Sequence, residues 1–250
     1  MVRLSVNVNK VATLRNSRGG SVPDVLEAVD VCIAAGSPGI TVHPRADRRH
    51  ITPEDVRAIA RVLREKHPGI EFNIEGDPRP ELLELVHDVR PDQCTLVPVT
   101  PGEITSQAGW QPGPATDRLP SVIQRLRAAG VRVSLFVDAR PDPIRWAVSA
   151  GADRVELYTE PFARAFERGQ DTGAQSFAEY VECARLAHAS GLGVNAGHDL
   201  DLANLVLFRT LPFLDEVSIG HAIVSRALFA GLSTVVREYV QVLAARGENV

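Results

Sequence analysis

At 250 residues, the chain is long enough for one large α/β domain or two small ones. Its 27 basic side chains stand against 31 acidic ones, and the resulting formal net charge of -4 argues against a nucleic-acid-binding domain. No apolar stretch reaches bilayer length, and no charged head precedes an apolar core of signal-peptide size, so neither a membrane nor a secretory role is expected.

Cys32, Cys94 and Cys183 lie in apolar or helical stretches without CxxC spacing. They read as buried free thiols of a cytosolic protein, with no structural zinc and no disulfide framework. Only Lys10 and Lys66 are lysines. The preference for arginine suits bidentate phosphate contacts and fits a genomic composition bias equally well.

Segments rich in Val, Ile and Leu alternate with helical patterns at intervals of about 30 residues, the size of one βα unit. In chain order the expected strands are residues 4–9, 39–43, 70–75, 93–98, 132–138, 154–158, 193–196 and 216–219. Four intervening helices finish on a small residue followed by glycine, at Ala35-Gly36, Ala129-Gly130, Ala150-Gly151 and Ser190-Gly191. Glycine there supplies a left-handed cap that turns the chain back toward the sheet. Thr52-Pro53-Glu54-Asp55 marks a helix start, with an N-cap threonine, proline at the first helical position and acids in the first turn. Eight such units with parallel strands match a (β/α)8 TIM barrel in length and count, and one domain, residues 1–250, is the economical organisation. Two loops exceed what a scaffold needs, residues 99–114 and 160–173, and the first has the glycine and proline content of a lid.

In a barrel, polar residues at strand ends converge on one face however far apart they are in sequence. Strand 1 offers Asn7, Asn9 and Lys10, strand 2 His43 and Arg45, strand 3 Glu75, strand 6 Glu156, strand 7 Asn195 and His198, and strand 8 His221. The run Gly39-Ile40-Thr41-Val42-His43-Pro44-Arg45 passes from a strand buried on both faces into a cationic loop within one residue. An imidazole and a carboxylate facing one cavity can have their pKa values pushed apart, as acid–base chemistry near neutrality needs. Strands 7 and 8 end in Gly197-His198-Asp199 and Gly220-His221, and barrels often bind phosphate on these two loops. A second anion could be held by Arg15, Arg18, Arg45, Arg48, Arg49 and His50. Residue by residue, the reading reaches an acid–base enzyme acting on small phosphorylated substrates. A divalent metal on His43, Glu75, His198 and His221 is an alternative, but no HxH or HExxH pair nucleates it. Lys10 opens another, a Schiff-base aldolase-type barrel, and a phosphometabolite-binding barrel without catalysis is a third.

These motifs resemble the pyridoxine 5'-phosphate synthase family of the deoxyxylulose phosphate-dependent route to vitamin B6. The resemblance rests on Val6-Asn7-Val8-Asn9 through Gly19, on residues 39–43 with Arg45 and Asp47-Arg48-Arg49-His50-Ile51-Thr52, on residues 194–198 and on residues 219–223. It implies condensation of 3-amino-2-oxopropyl phosphate with 1-deoxy-D-xylulose 5-phosphate to give pyridoxine 5'-phosphate, phosphate and water, without metal or cofactor. By the same resemblance His43 and Glu75 would accept protons and His198 would donate one. Asn7, Arg18, Asp199, Gly220 and His221 would bind the amino ketone phosphate, and Asn9, Lys10, Arg45, His50 and Thr105 the sugar phosphate. A cytoplasmic homo-octamer built from dimers is also implied. Asn9 and Lys10 stand where the family pattern has an Asp-His pair, and Asp199 where it has glycine.

Overall fold

A computed structural model describes residues 1–99 and 106–245. Its eight strands close into a parallel barrel in chain order: β1 (Arg3–Asn7), β2 (Gly39–Val42), β3 (Glu71–Gly76), β4 (Gln93–Leu96), β5 (Arg132–Val137), β6 (Arg154–Tyr158), β7 (Gly193–Gly197) and β8 (Leu214–Ile219). The helices are α1 (Asn9–Asn16), α2 (Val25–Ala34), α3 (Pro53–Lys66), α4 (Pro80–Val89), α5 (Leu119–Ala128), α6 (Pro141–Ser149), α7 (Glu160–Arg168), α8 (Gln170–Ala189), α9 (Leu202–Phe208), α10 (His221–Ala230) and α11 (Leu232–Ala244). None of the described helices is long and apolar enough to cross a membrane.

The helix punctuation acts as the sequence implies. Gly36, Gly130, Gly151 and Gly191 all have positive φ, between 82° and 103°. At each, the next residue's N–H reaches back to the carbonyl five positions earlier, as in Leu192 to Ala187 at 3.0 Å. That closes the helix end and aims the chain into the following strand. At the start of α3, Thr52 and Asp55 exchange side-chain and backbone hydrogen bonds in a reciprocal box, an arrangement worth about 1 kcal/mol. A further device closes the floor of the barrel. Asp92, Asp153 and Asp215 accept the backbone N–H of Phe72, Val133 and Val194 at 2.8, 2.9 and 3.1 Å, tying β3, β5 and β7 to the segments beside them.

The strands are buried on both faces, but the two faces differ in kind. Outward residues such as Val6, Ile40, Ile74, Leu135 and Leu157 are apolar and pack under the helices. Inward residues are mostly polar, and their side chains bond to one another: Ser5 to Thr41 at 2.6 Å and Thr95 to Asn73 at 3.1 Å between neighbouring strands, and Asn195 of β7 to Gln93 of β4 at 3.5 Å across the lumen. Parallel strands covered by helices read as apolar runs, yet here the lumen imposes a period of two. The interior is filled by hydrogen-bonded and charged groups rather than by branched aliphatics.

Several expected strand ends shift by one or two residues, and two larger differences bear on the site. Strand β1 stops at Asn7, so Asn9 and Lys10 belong to the first turn of α1 instead of a strand end. The stretch expected as a loop from residue 160 to 173 is the helix α7 running into α8, which begins at Gln170. Pro161 fits the first turn of α7. Phe162, at its start, lies in an aromatic cluster with Phe177, Tyr180 and Phe208, ring centroids 5.0 to 6.0 Å away. Packing of this apolar face makes helix of the stretch expected as a loop.

Candidate active site

The upper end of the lumen is built around Glu75. It is the last inward side chain of β3, and Gly76 follows it with φ 157°. Its carboxylate accepts from Asn7 Nδ2 at 3.4 Å and from Ser218 Oγ at 3.3 Å, contacts that cross from β3 to β1 and β8. His43 Nδ1 lies 3.9 Å from Glu75 Oε2. Both residues are 8% exposed. Burial, with a further push from Glu216, raises the Glu75 carboxyl to about 8 despite the Ser218 hydrogen bond. Burial also pulls His43 down to about 3, aided by the fields of Arg45, His50, Arg79 and Arg49. Burial thus disfavours the charged form of both groups, the imidazolium of His43 and the carboxylate of Glu75.

The cationic loop after β2 forms one wall. His50 is buried and its rings meet those of His43 edge to face, centroids 6.3 Å apart. Burial, then Arg45 and Lys10, pull His50 down to about 4. His43 Nε2 and His50 Nδ1 are buried without a hydrogen-bond partner among the described residues, and a bound molecule would satisfy them. Asn9 accepts the His43 backbone N–H on its side-chain oxygen at 2.9 Å, and its own N–H bonds to Asn7 Oδ1 at 3.0 Å. Asn9 thus orients the catalytic candidate from the first turn of α1. Lys10 is exposed. The desolvation that a Schiff-base lysine needs is missing there.

Several of the arginines grouped as a second anion site are committed elsewhere. Arg15 makes a two-pronged ion pair with Asp55 at 2.6 and 2.8 Å, fastening α1 to α3. Arg49 pairs with Asp47, and Arg48 lies 3.7 Å from Glu54. Arg45 is buried. Arg18 stands exposed in the turn after α1 and makes no side-chain hydrogen bond or ion pair among the described residues. Thr105 lies outside the described residues, as does part of the proposed lid.

The opposite wall comes from β6, β7 and β8. His198 Nδ1 is 3.0 Å from Asp199 Oδ2, and the His198 ring meets Tyr158 edge to face at 5.1 Å. The field of His221, the first residue of α10, helps keep the Asp199 carboxyl below the usual range, after the hydrogen bond from His198. The two glycines before these histidines do more than admit a ligand. A Cβ at Gly197 would sit 2.4 Å from Glu156 Oε1, and one at Gly220 would sit 2.8 Å from the Asn7 carbonyl. Each gives room to a polar group of the lumen. Glu156 is buried, and burial with repulsion from Glu75 and Glu216 raises its carboxyl well above the ordinary range. Sequence reasoning named Glu156 without a role and did not single out Ser218. Ser218 follows the inward Glu216 by two on β8, so the period of two could have found it.

The profile of the family described as "Pyridoxal phosphate biosynthesis protein PdxJ" matches residues 4–245. A protein of Porphyromonas gingivalis named pyridoxine 5'-phosphate synthase is 48% identical over 98% of this chain and all of its own length. Another of that name, from Xanthomonas oryzae pv. oryzae, is 52% identical over 100% of this chain and 98% of its own. Among solved structures, phosphoribosyl anthranilate isomerase from Thermotoga maritima covers 97% of this chain and 98% of its own at a TM-score of 0.62 and 12% identity. Thiamine phosphate pyrophosphorylase from Pyrococcus furiosus covers 97% and 95% at 0.61 and 12%. These two likenesses concern the barrel alone. With nearly its whole length matched by the profile and about half its residues shared with the named synthases, the chain belongs to the PdxJ family.

Proposed function

We propose that the protein is a pyridoxine 5'-phosphate synthase, joining 3-amino-2-oxopropyl phosphate to 1-deoxy-D-xylulose 5-phosphate with release of phosphate and water. The observation that carries this reading is the buried pair of His43 and Glu75, 3.9 Å apart beneath a cationic rim, in a chain about half identical to proteins of that name. His43 and Glu75 act as proton acceptors and His198 as the donor. Both depressed and raised pKa values relax toward neutrality once substrate arrives. A phosphate against Arg45 offsets part of the positive field that, after burial, weakens His43 as a base. An ammonium group of the amino ketone beside Glu75 favours its ionised form against the burial that raised it. The two bases are strengthened by the ligand they serve.

Asn7, Arg18, Asp199, Gly220 and His221 bind the amino ketone phosphate in this scheme, and Asn9, Lys10, Arg45, His50 and Thr105 the sugar phosphate. The buried, partnerless nitrogens of His43 and His50 support a ligand on that side. The amine that forms the imine belongs to a substrate, so no enzyme lysine is required. Three buried free thiols agree with a cytoplasmic, reducing location. Assembly into an octamer is supported by large apolar side chains left in water, Leu228 at 67% and Phe229 at 94% exposure. The deciding experiment mixes the purified protein with both substrates. Phosphate release in step with pyridine-ring absorbance is expected, and neither signal at any substrate concentration would overturn the assignment.

A further inference from the structure

The turn from β7 into α9 carries two adjacent non-glycine residues in the left-handed region, His198 at φ 90° and Asp199 at φ 59°. That region disfavours any residue with a Cβ, although aspartate tolerates it better than most. Neighbours hold it in place. Thr159, fully buried, directs its hydroxyl at the carbonyl of Gly197 at 2.7 Å and at that of His198. Asn204, fixed in the capping box of α9, donates its side-chain amide to the Asp199 carbonyl at 3.0 Å. The Tyr158 ring blocks one side of the imidazole. Held this way, Asp199 sets Oδ2 3.0 Å from His198 Nδ1.

We infer that Asp199 is a positioning residue for His198, fixing the imidazole in the Nδ1–H tautomer so that proton donation runs through Nε2. The inference rests on the synthase reading and on His198 as its proton donor. A protonated ring carries hydrogen on both nitrogens. When the Nε2 proton passes to a departing oxygen, the neutral ring retains its Nδ1 hydrogen, which is already directed at the carboxylate. The opposite tautomer would set the Nδ1 lone pair against an anion. The carboxylate therefore favours the form in which transfer leaves the ring and also locks the ring's orientation. The charges facing Asp199 support its ionised state: His198 beside it, His221 from α10 and Arg164 from α7, the last also bonded to Glu160.

The test is Asp199→Gly in the full chain, since a φ of 59° suits glycine and only the carboxylate is lost. Nitrogen-15 NMR of the ligand-free protein, with the His198 ring assigned by its absence in His198→Gln, reads the tautomer without any substrate. The Nδ1–H form is expected in the native chain and a mixture in Asp199→Gly, with kcat lower by about tenfold, part of the ~10²–10⁴ a positioned acid contributes. Asp199→Asn, which also accepts the left-handed backbone, is expected to fall between the two. An Nε2–H ring in the native protein, or ring signals and kcat unchanged in Asp199→Gly, would overturn the inference. Because the tautomer is read without turnover, that failure is distinct from a failure of the synthase reading, which is scored by phosphate release.

Discussion

Glu71 and Glu75 lie four residues apart on the inner face of β3, one at the floor of the lumen and one at its mouth. They are 7% and 8% exposed. At the floor, Glu71 has Arg3 at 2.7 Å and Arg132 against its two oxygens, and Arg132 continues to Gln93 at 3.0 Å. At the mouth, among the described residues, Glu75 has the long contacts of Asn7 and Ser218 and an imidazole out of hydrogen-bond reach. Burial alone thus does not make a buried carboxylate reactive. What separates the two is compensation: arginines make the lower one a fixture of the wall, and their absence leaves the upper one holding a proton to about 8.

The contrast breaks first in turnover. His43→Ala, Glu75→Gln and His198→Ala are each expected to lower product formation by about 10²-fold or more while the circular dichroism of the barrel is retained. Glu71→Gln is expected to change stability instead, with kcat per folded molecule close to native. Near-native turnover in all three upper variants would erase the distinction.

A second effect is in stability against pH. The Glu75 carboxyl titrates near the ordinary carboxylate value when unfolded and at about 8 when folded. Between those values the folded state binds more protons, so wild-type stability attributable to this group falls as pH rises, by at most about 1.4 kcal/mol per pH unit. Glu75→Gln removes the titration. Its stability relative to wild type is expected to grow from pH 5 to pH 8, by a few kcal/mol, and denaturant melts at the two values measure it. A difference that stays flat over that window would show a Glu75 that is already ionised in the fold. At the floor, Arg132→Met leaves Glu71 with Arg3 alone. Because the Arg132 side chain is 31% exposed, the cost is set below that of a fully buried pair, at about 1–2 kcal/mol, with kcat within about twofold.

The barrel was legible in the sequence because its repeats are marked by local chemistry: Ala35-Gly36 and Ser190-Gly191 cap helices, and Thr52-Pro53 opens one. Convergence of Asn7, His43 and Glu75 at the lumen's mouth follows from strand ends on one face, as the contacts to Glu75 bear out. Pairing was not legible. Arg15 looked like an anion ligand until the fold brought Asp55, forty positions away, within 2.6 Å. The polar lumen was also hidden, since Val42-His43 and Ile74-Glu75 read as apolar strands ending in a functional group rather than as alternation. Only the closed tube explains why Asn73, Thr95 and Asn195 sit within strands.

The smallest expected effect concerns Lys10, which tests whether the mouth's chemistry lies in its buried groups or at its rim. A lysine that forms imines is one that burial or neighbouring charge keeps neutral, and Lys10 is exposed on the first turn of α1. Its charge acts on the site as a field on His50. Lys10→Met is therefore expected to raise KM for the sugar phosphate by about two- to fivefold, the range of an exposed ionic contact, with kcat unchanged. Borohydride added with either substrate should leave no substrate mass on Lys10. A reduced adduct there would move the reactive centre from the buried pair of His43 and Glu75 to the exposed start of α1, and with it the reaction class from acid–base condensation to imine catalysis.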